Sequence, residues 1–196
     1  MTTPPTPGDI SAVGLEGWFP LDLTRTPEQV HAAILAEYPA GDEVTAATAE
    51  GLVGMVRSLQ AQTGEGEATG IVNLAAWVLL DDPATLSPVA VATLRGLVEE
   101  SGDPMQVVAG MTAGAELYDE PPLVALGTAS GPATLTRIRT VEVVRGGREV
   151  HEQSLVLWPR PQHGYVVTLS AYVQDLVLSD RVGAAMRQLA TGITGL

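Results

Sequence analysis

The strongest constraint on this chain lies in its last third, where a glycine pair separates two long runs of alternating character. Ala133–Arg145 and Arg148–Trp158 flank Gly146-Gly147, and Tyr165–Val173 follows the loop Pro159–Gly164. Period-two alternation bounded by turn residues marks half-buried strands. A two-residue turn at Gly146-Gly147 would set the register: Arg145 opposite Arg148, Glu142 opposite His151, Leu135 opposite Trp158. One face then collects Leu135, Val141, Val143, Val150, Val156 and Trp158. Tyr165, Val167, Leu169, Ala171 and Val173 join it if the third strand keeps the same parity. The next segment, Leu178–Ile193, switches to helical period, with Leu178, Val182, Ala185, Met186 and Leu189 on one stripe. Ser179 is its expected N-cap and Gly192 its expected stop. The prediction is an antiparallel meander whose apolar face is covered by helices.

Two residues break the pattern. Arg137 and Arg139 fall on the apolar face, beside Glu152 and Ser154. An unpaired buried guanidinium is costly, so something must compensate. A bulge that turns both outward would do so, as would pairing with Glu152 near a sheet edge, or an anion-binding pocket beneath the helices. With Arg160, these are the candidate ligand- or partner-binding residues.

Upstream, Thr2–Gly8 is rich in proline and threonine, and residues 1–14 are expected to form a disordered arm ahead of one α+β domain, 15–196. Trp18–Leu23 suits a short strand, with Pro20 favouring an edge. Thr26-Pro27-Glu28-Gln29 combines a capping box with proline at the first helical position, and Pro39 and Gly41 stop that helix. A second helix is expected over Glu43–Gln62, with Val44, Thr48, Leu52, Met55, Val56 and Leu59 inward. Gly64–Gly70 should separate it from Ile71–Leu80. That apolar run fits a buried strand or a buried helix, and its abrupt end at Asp81-Asp82-Pro83 favours the strand. Val89–Glu99 is similarly open, leaning to a neighbouring strand. Asp103-Pro104 starts a short helix over Pro104–Ala113, and Leu123–Leu126 reads as a further strand.

Composition narrows the chemistry. Cysteine and lysine are both absent, which removes disulfides, thiolate nucleophiles, Cys-based zinc sites, Schiff bases and a phosphate-loop lysine. The net charge is −13; residues 1–131 carry three arginines against 18 acids, whereas residues 132–196 carry seven against five. A chain so acidic lacks the basic footprint that nucleic acid or an anionic membrane requires. Met1–Val13 has no basic residue or apolar core of a secretory signal, and no apolar run spans a bilayer, so the expected location is cytoplasmic. His31, His151 and His163 have no second ligand at metal spacing, Ser130 reads as turn chemistry, and Gly64–Gly70 does not follow a strand as a phosphate loop should. No metal, cofactor or catalytic set is expected.

The succession of a strand, two helices, long strands, a short helix, a meander and a closing helix resembles the PsbP-type α/β/α sandwich. Gly131-Pro132-Ala133 opening a strand, Leu155–Trp158, Tyr165–Ala171 and the helix Leu178–Ile193 carry the resemblance, which extends to uncharacterised actinobacterial proteins and to LpqN-like lipoproteins. It implies non-catalytic binding and assembly roles. The sequence holds no cysteine to accept a lipid and no secretory signal is expected, so the cell-surface role of the lipoproteins is not expected to carry over, and no functional residue transfers. The leading expectation is thus a non-catalytic cytoplasmic module with a protein partner. The alternatives are a small-molecule or anion binder, or an enzyme, with a pocket near Arg137 and Arg139, and an accessory factor of a secretion or particle assembly.

Overall fold

Capping chemistry starts the helices and alternation sets the strands, largely where the sequence places them. The computed structural model describes residues 6, 9–39, 41–98, 102–173 and 175–196, with only the backbone of 64–69. From the N-terminal side, β1 (Ser11–Ala12) and β2 (Trp18–Leu21) precede α1 (Pro27–Glu37) and α2 (Glu43–Thr69). Two long strands, β3 (Ile71–Leu80) and β4 (Pro88–Val98), lead to α3 (Pro104–Met111) and the short β5 (Glu116–Leu117) and β6 (Val124–Thr128). The meander of β7 (Gly131–Val144), β8 (Gly147–Arg160) and β9 (Tyr165–Val173) is followed by α4 (Ser179–Gly192) and β10 (Ile193–Thr194).

The fold is α+β. An eight-stranded antiparallel sheet runs in the order β2-β3-β4-β9-β8-β7-β5, with β6 also on the outer edge of β7. On one face, Val156, Trp158, Leu169 and Ala171 pack beneath Val182, Met186 and Leu189 of α4. The other face is shared. Ala76, Val78 and Leu80 lie under α1 and α2, against Val30, Ile34, Leu52 and Val56. Ile138, Leu155, Leu157 and Val166 lie under Val107 and Val108 of α3. Helices therefore cover both sides, which explains the continuous apolar run of β3: a strand buried on both faces does not alternate. The capping box forms as predicted, with Gln29 N–H donating to Thr26 Oγ1 (3.3 Å) and Thr26 N–H to Gln29 Oε1 (3.0 Å). Among the described residues no helix is long and apolar enough to cross a membrane, which says nothing of a β-barrel.

Several expectations need correction. The hairpin turn is Arg145-Gly146, since Val144 pairs with Gly147 and Arg139 with Glu152. Only Gly146 adopts positive φ (107°), so the turn needs one glycine and the other joins the strand. The slip is two residues, an even number, so every side chain keeps its predicted face. Helix α2 continues through Gly64 and Gly66 to Thr69, and Gly70 alone (φ 69°) makes the turn into β3. Asn73 ties the two together: its Nδ2 donates to the Leu59 carbonyl at 2.8 Å and its N–H to Thr63 Oγ1 at 3.2 Å. The buried stripe of α2 is Ala49, Leu52, Val53, Val56 and Leu59, while Val44 faces solvent. Ser179 is the first residue of α4 rather than its N-cap, because its hydroxyl is used across the sheet. The arm expected to be disordered through Gly14 is in part ordered: β1 pairs with β10, and Val13 N–H donates to the Gly192 carbonyl at 3.2 Å. The rest of that expectation, at residues 1–5, 7 and 8, lies outside the described residues, as does the Glu99 end of the predicted Val89–Glu99 strand.

Candidate functional site

Strand parity puts Arg137 and Arg139 on the face beneath α4, opposite Ser154 and Glu152 of β8. The Glu152 carboxylate is buried there with two donors: Arg139 Nε at 2.8 Å and the Ser179 hydroxyl at 2.6 Å. Ser179 Oγ in turn accepts from Arg137 Nη1 (2.9 Å), which also reaches Asp180 Oδ1 at 3.1 Å. Arg139 Nη1 extends the chain to Asp119 Oδ2 at 3.2 Å. The hydrogen bond to Glu152 holds the Arg139 guanidinium above the ordinary arginine range; burial opposes this and the charges of Glu152 and Asp119 reinforce it. Pairing with Glu152 is thus how Arg139 is accommodated on an apolar face, and the network pins the start of α4 to β7 and β8.

Arg160 is not part of this cluster. It sits six residues beyond Ser154 on β8, where its Nη2 donates to the Ser130 carbonyl at 2.6 Å and its Nη1 to that of Pro159 at 3.2 Å. Ser130 Oγ donates to the Ile193 carbonyl at 2.9 Å, so this end of the sheet is a structural clamp on the β6–β7 turn.

Arg137, unlike Arg139, also borders open space. A cavity of about 260 Å³ lies between α4 and the outer strands, lined by Leu135, Arg137, Ser154, Asp180, Gly183 and Arg187 among others. Sequence reasoning placed Ser154 beside the arginines without singling it out, and missed Gly183 and Arg187. The available signal was a second stripe on α4, at Asp180, Gly183, Ala184 and Arg187, spaced for one helix face and lacking large apolar side chains.

Other concavities lie elsewhere on the described residues. A groove of about 410 Å³ runs beside α2, lined by Met55, Ser58 and Gln62 of the helix and by Val91, Thr93, Arg95, Ser170 and Tyr172 of the sheet. A cleft of about 600 Å³ lies where β2 ends along β3, between α1 and the segment Ile10–Leu15, and is lined mainly by apolar side chains.

The histidines stay apart. His31 Nε2 lies 3.4 Å from Glu50 Oε1, linking α1 to α2. His151 Nε2 is 3.3 Å from Glu142 Oε2, although the strand register sets Thr140 opposite His151. His163 stacks on Tyr165. Among the described residues no group of three His, Asp or Glu side chains converges as metal ligands would.

No family model matches this chain, and no curated protein matches it. Among solved structures it is similar to LpqN, a protein involved in cell envelope biogenesis of Mycobacterium tuberculosis. The alignment has 17% identity and a TM-score of 0.36, and covers 64% of this chain and 78% of that one. This is a weak structural resemblance.

Proposed function

We propose that this chain is a non-catalytic, cytoplasmic protein-binding and assembly module that holds an extended segment of a partner in the groove beside α2. The scaffold is read as a PsbP-type sandwich, and an accessory role in a secretion or particle assembly is one form of the same reading. The observation that carries it is the strip of sheet left open between helices. Thr93 and Ser170 meet there across β4 and β9, with their hydroxyl oxygens 3.3 Å apart, and Tyr172 stands beside them 66% exposed. A small polar floor with an exposed tyrosine at its rim suits an extended chain, because tyrosine offers contact area and a hydrogen-bonding tip together. The net −15 of residues 1–131 disfavours nucleic acid and anionic membrane, while the groove itself is lined by a single charged side chain, Arg95.

The test places a photo-crosslinking side chain at Tyr172, with Val143 near the distant hairpin turn as control, in the full chain exposed to native lysate. The expected result is one saturable adduct from position 172 that disappears when Thr93→Arg fills the groove floor. Equal labelling from both positions, or no saturable adduct from 172, rejects the reading.

A further inference from the structure

We propose that the cavity between α4 and β7 binds a small organic carboxylate carrying a short apolar body. This site uses none of the residues of the groove beside α2, so it stands independently of the docking proposal.

Three observations point to it. First, the space is built into the helix face: a Cβ added at Gly183 would meet nothing within 4 Å, so the missing side chain leaves an opening beneath α4. Second, Ser154 lines that cavity while only 2% exposed, so a hydroxyl-bearing side chain is packed into its wall. A hydroxyl can donate one hydrogen bond to an oxygen acceptor held beside it. Third, two guanidiniums border the same space. Arg137 uses only Nη1 for Ser179 and Asp180, and Arg187 has no ion pair among the described residues. Their planar donor arrays match a carboxylate.

Leu135 and Val124 supply apolar wall, so the occupant needs an apolar portion as well as its anionic end. A volume of about 260 Å³ restricts that portion to a short one, since drug-sized ligands use roughly 300–1,000 Å³. Asp180, whose side chain is almost fully exposed, neutralises Arg137 at 3.1 Å and competes with the ligand.

The experiment titrates the full-length chain, labelled for NMR, with hexanoate and separately with inorganic phosphate. Hexanoate should saturate, with shifts at the Gly183 and Ser154 amides, and should bind at least about tenfold more tightly than phosphate. Arg187→Gln, at an exposed position, should weaken hexanoate by about tenfold. Asp180→Asn should tighten it. Gly183→Leu fills the opening and should abolish binding without lowering the melting temperature, because leucine favours helix over glycine. No saturable shift, phosphate binding as tightly as hexanoate, unchanged affinity in Arg187→Gln, or binding that survives Gly183→Leu each overturns the proposal.

Discussion

Replacing Arg139 by leucine isolates the most deeply buried charge described in this protein. The Glu152 side chain is 0% exposed and takes two hydrogen bonds, from Arg139 Nε at 2.8 Å and from the Ser179 hydroxyl at 2.6 Å. With charge centres about 4 Å apart, the pair is worth about 4 kcal/mol at an effective dielectric of 20. The Arg139 side chain is 31% exposed, so water already screens part of that attraction and would reach the vacated space. The expected loss for Arg139→Leu therefore falls at the low end of the buried-pair range, about 3 kcal/mol. Glu152→Leu should cost less, about 2 kcal/mol, because Arg139 keeps Asp119 and solvent. The double variant removes both charges from the face beneath α4, and should lie within about 1 kcal/mol of the parent. Urea unfolding of all four chains, with the denaturant slope unchanged, measures these values. Independent effects would destabilise the double variant by roughly 5 kcal/mol, and the reasoning requires far less. A double variant within about 0.5 kcal/mol of additivity would show that the two groups do not compensate one another.

Gly192→Ala tests how the N-terminal segment docks, because a Cβ at Gly192 would run into the Val13 carbonyl oxygen. Amide exchange should quicken at residues 11–13 while β8 and β9 stay protected; a more stable chain with unchanged exchange there contradicts the packing. Acid should weaken the fold through Asp22 and Asp42, whose carboxyls are held below their ordinary value by the Thr24 hydroxyl and by the Thr45 N–H respectively. Groups with a lowered folded value stabilise fully above the unfolded value, about 3.9, and lose that contribution as pH falls through the folded one. A melting series over this range should therefore be flatter for the Asp22→Asn, Asp42→Asn double variant, and an identical slope refutes the assignment.

Much of the fold was legible because it depends on neighbours in the chain. Thr26, Pro27 and Gln29 announce α1 with groups no more than three residues apart, and alternation in Tyr165–Val173 identifies β9 to the residue. The end of α2 was not legible. Gly64 and Gly66 look like a break, yet one positive φ at Gly70 suffices for the turn, and Asn73 of β3 grips the helix at Leu59 and Thr63. Ser179 was misread for a related reason: local spacing makes it a cap, while Glu152, distant in sequence, takes its hydroxyl.

The candidate site divides along the same line. The sequence by itself determined that Arg137, Arg139, Glu152 and Ser154 share a face, since side-chain period in a strand is two and survives the two-residue slip of the hairpin. Only tertiary structure decided what each does there. Docking of α4 satisfies Glu152 through Ser179 and turns Arg139 into part of a buried pair. It also leaves a gap at Gly183 where Arg137, Ser154 and Arg187 meet. Whether a charge on an apolar face is closed off or borders open space depends on the side chain that a separate helix sets above it, and parity along a strand carries no information about that helix.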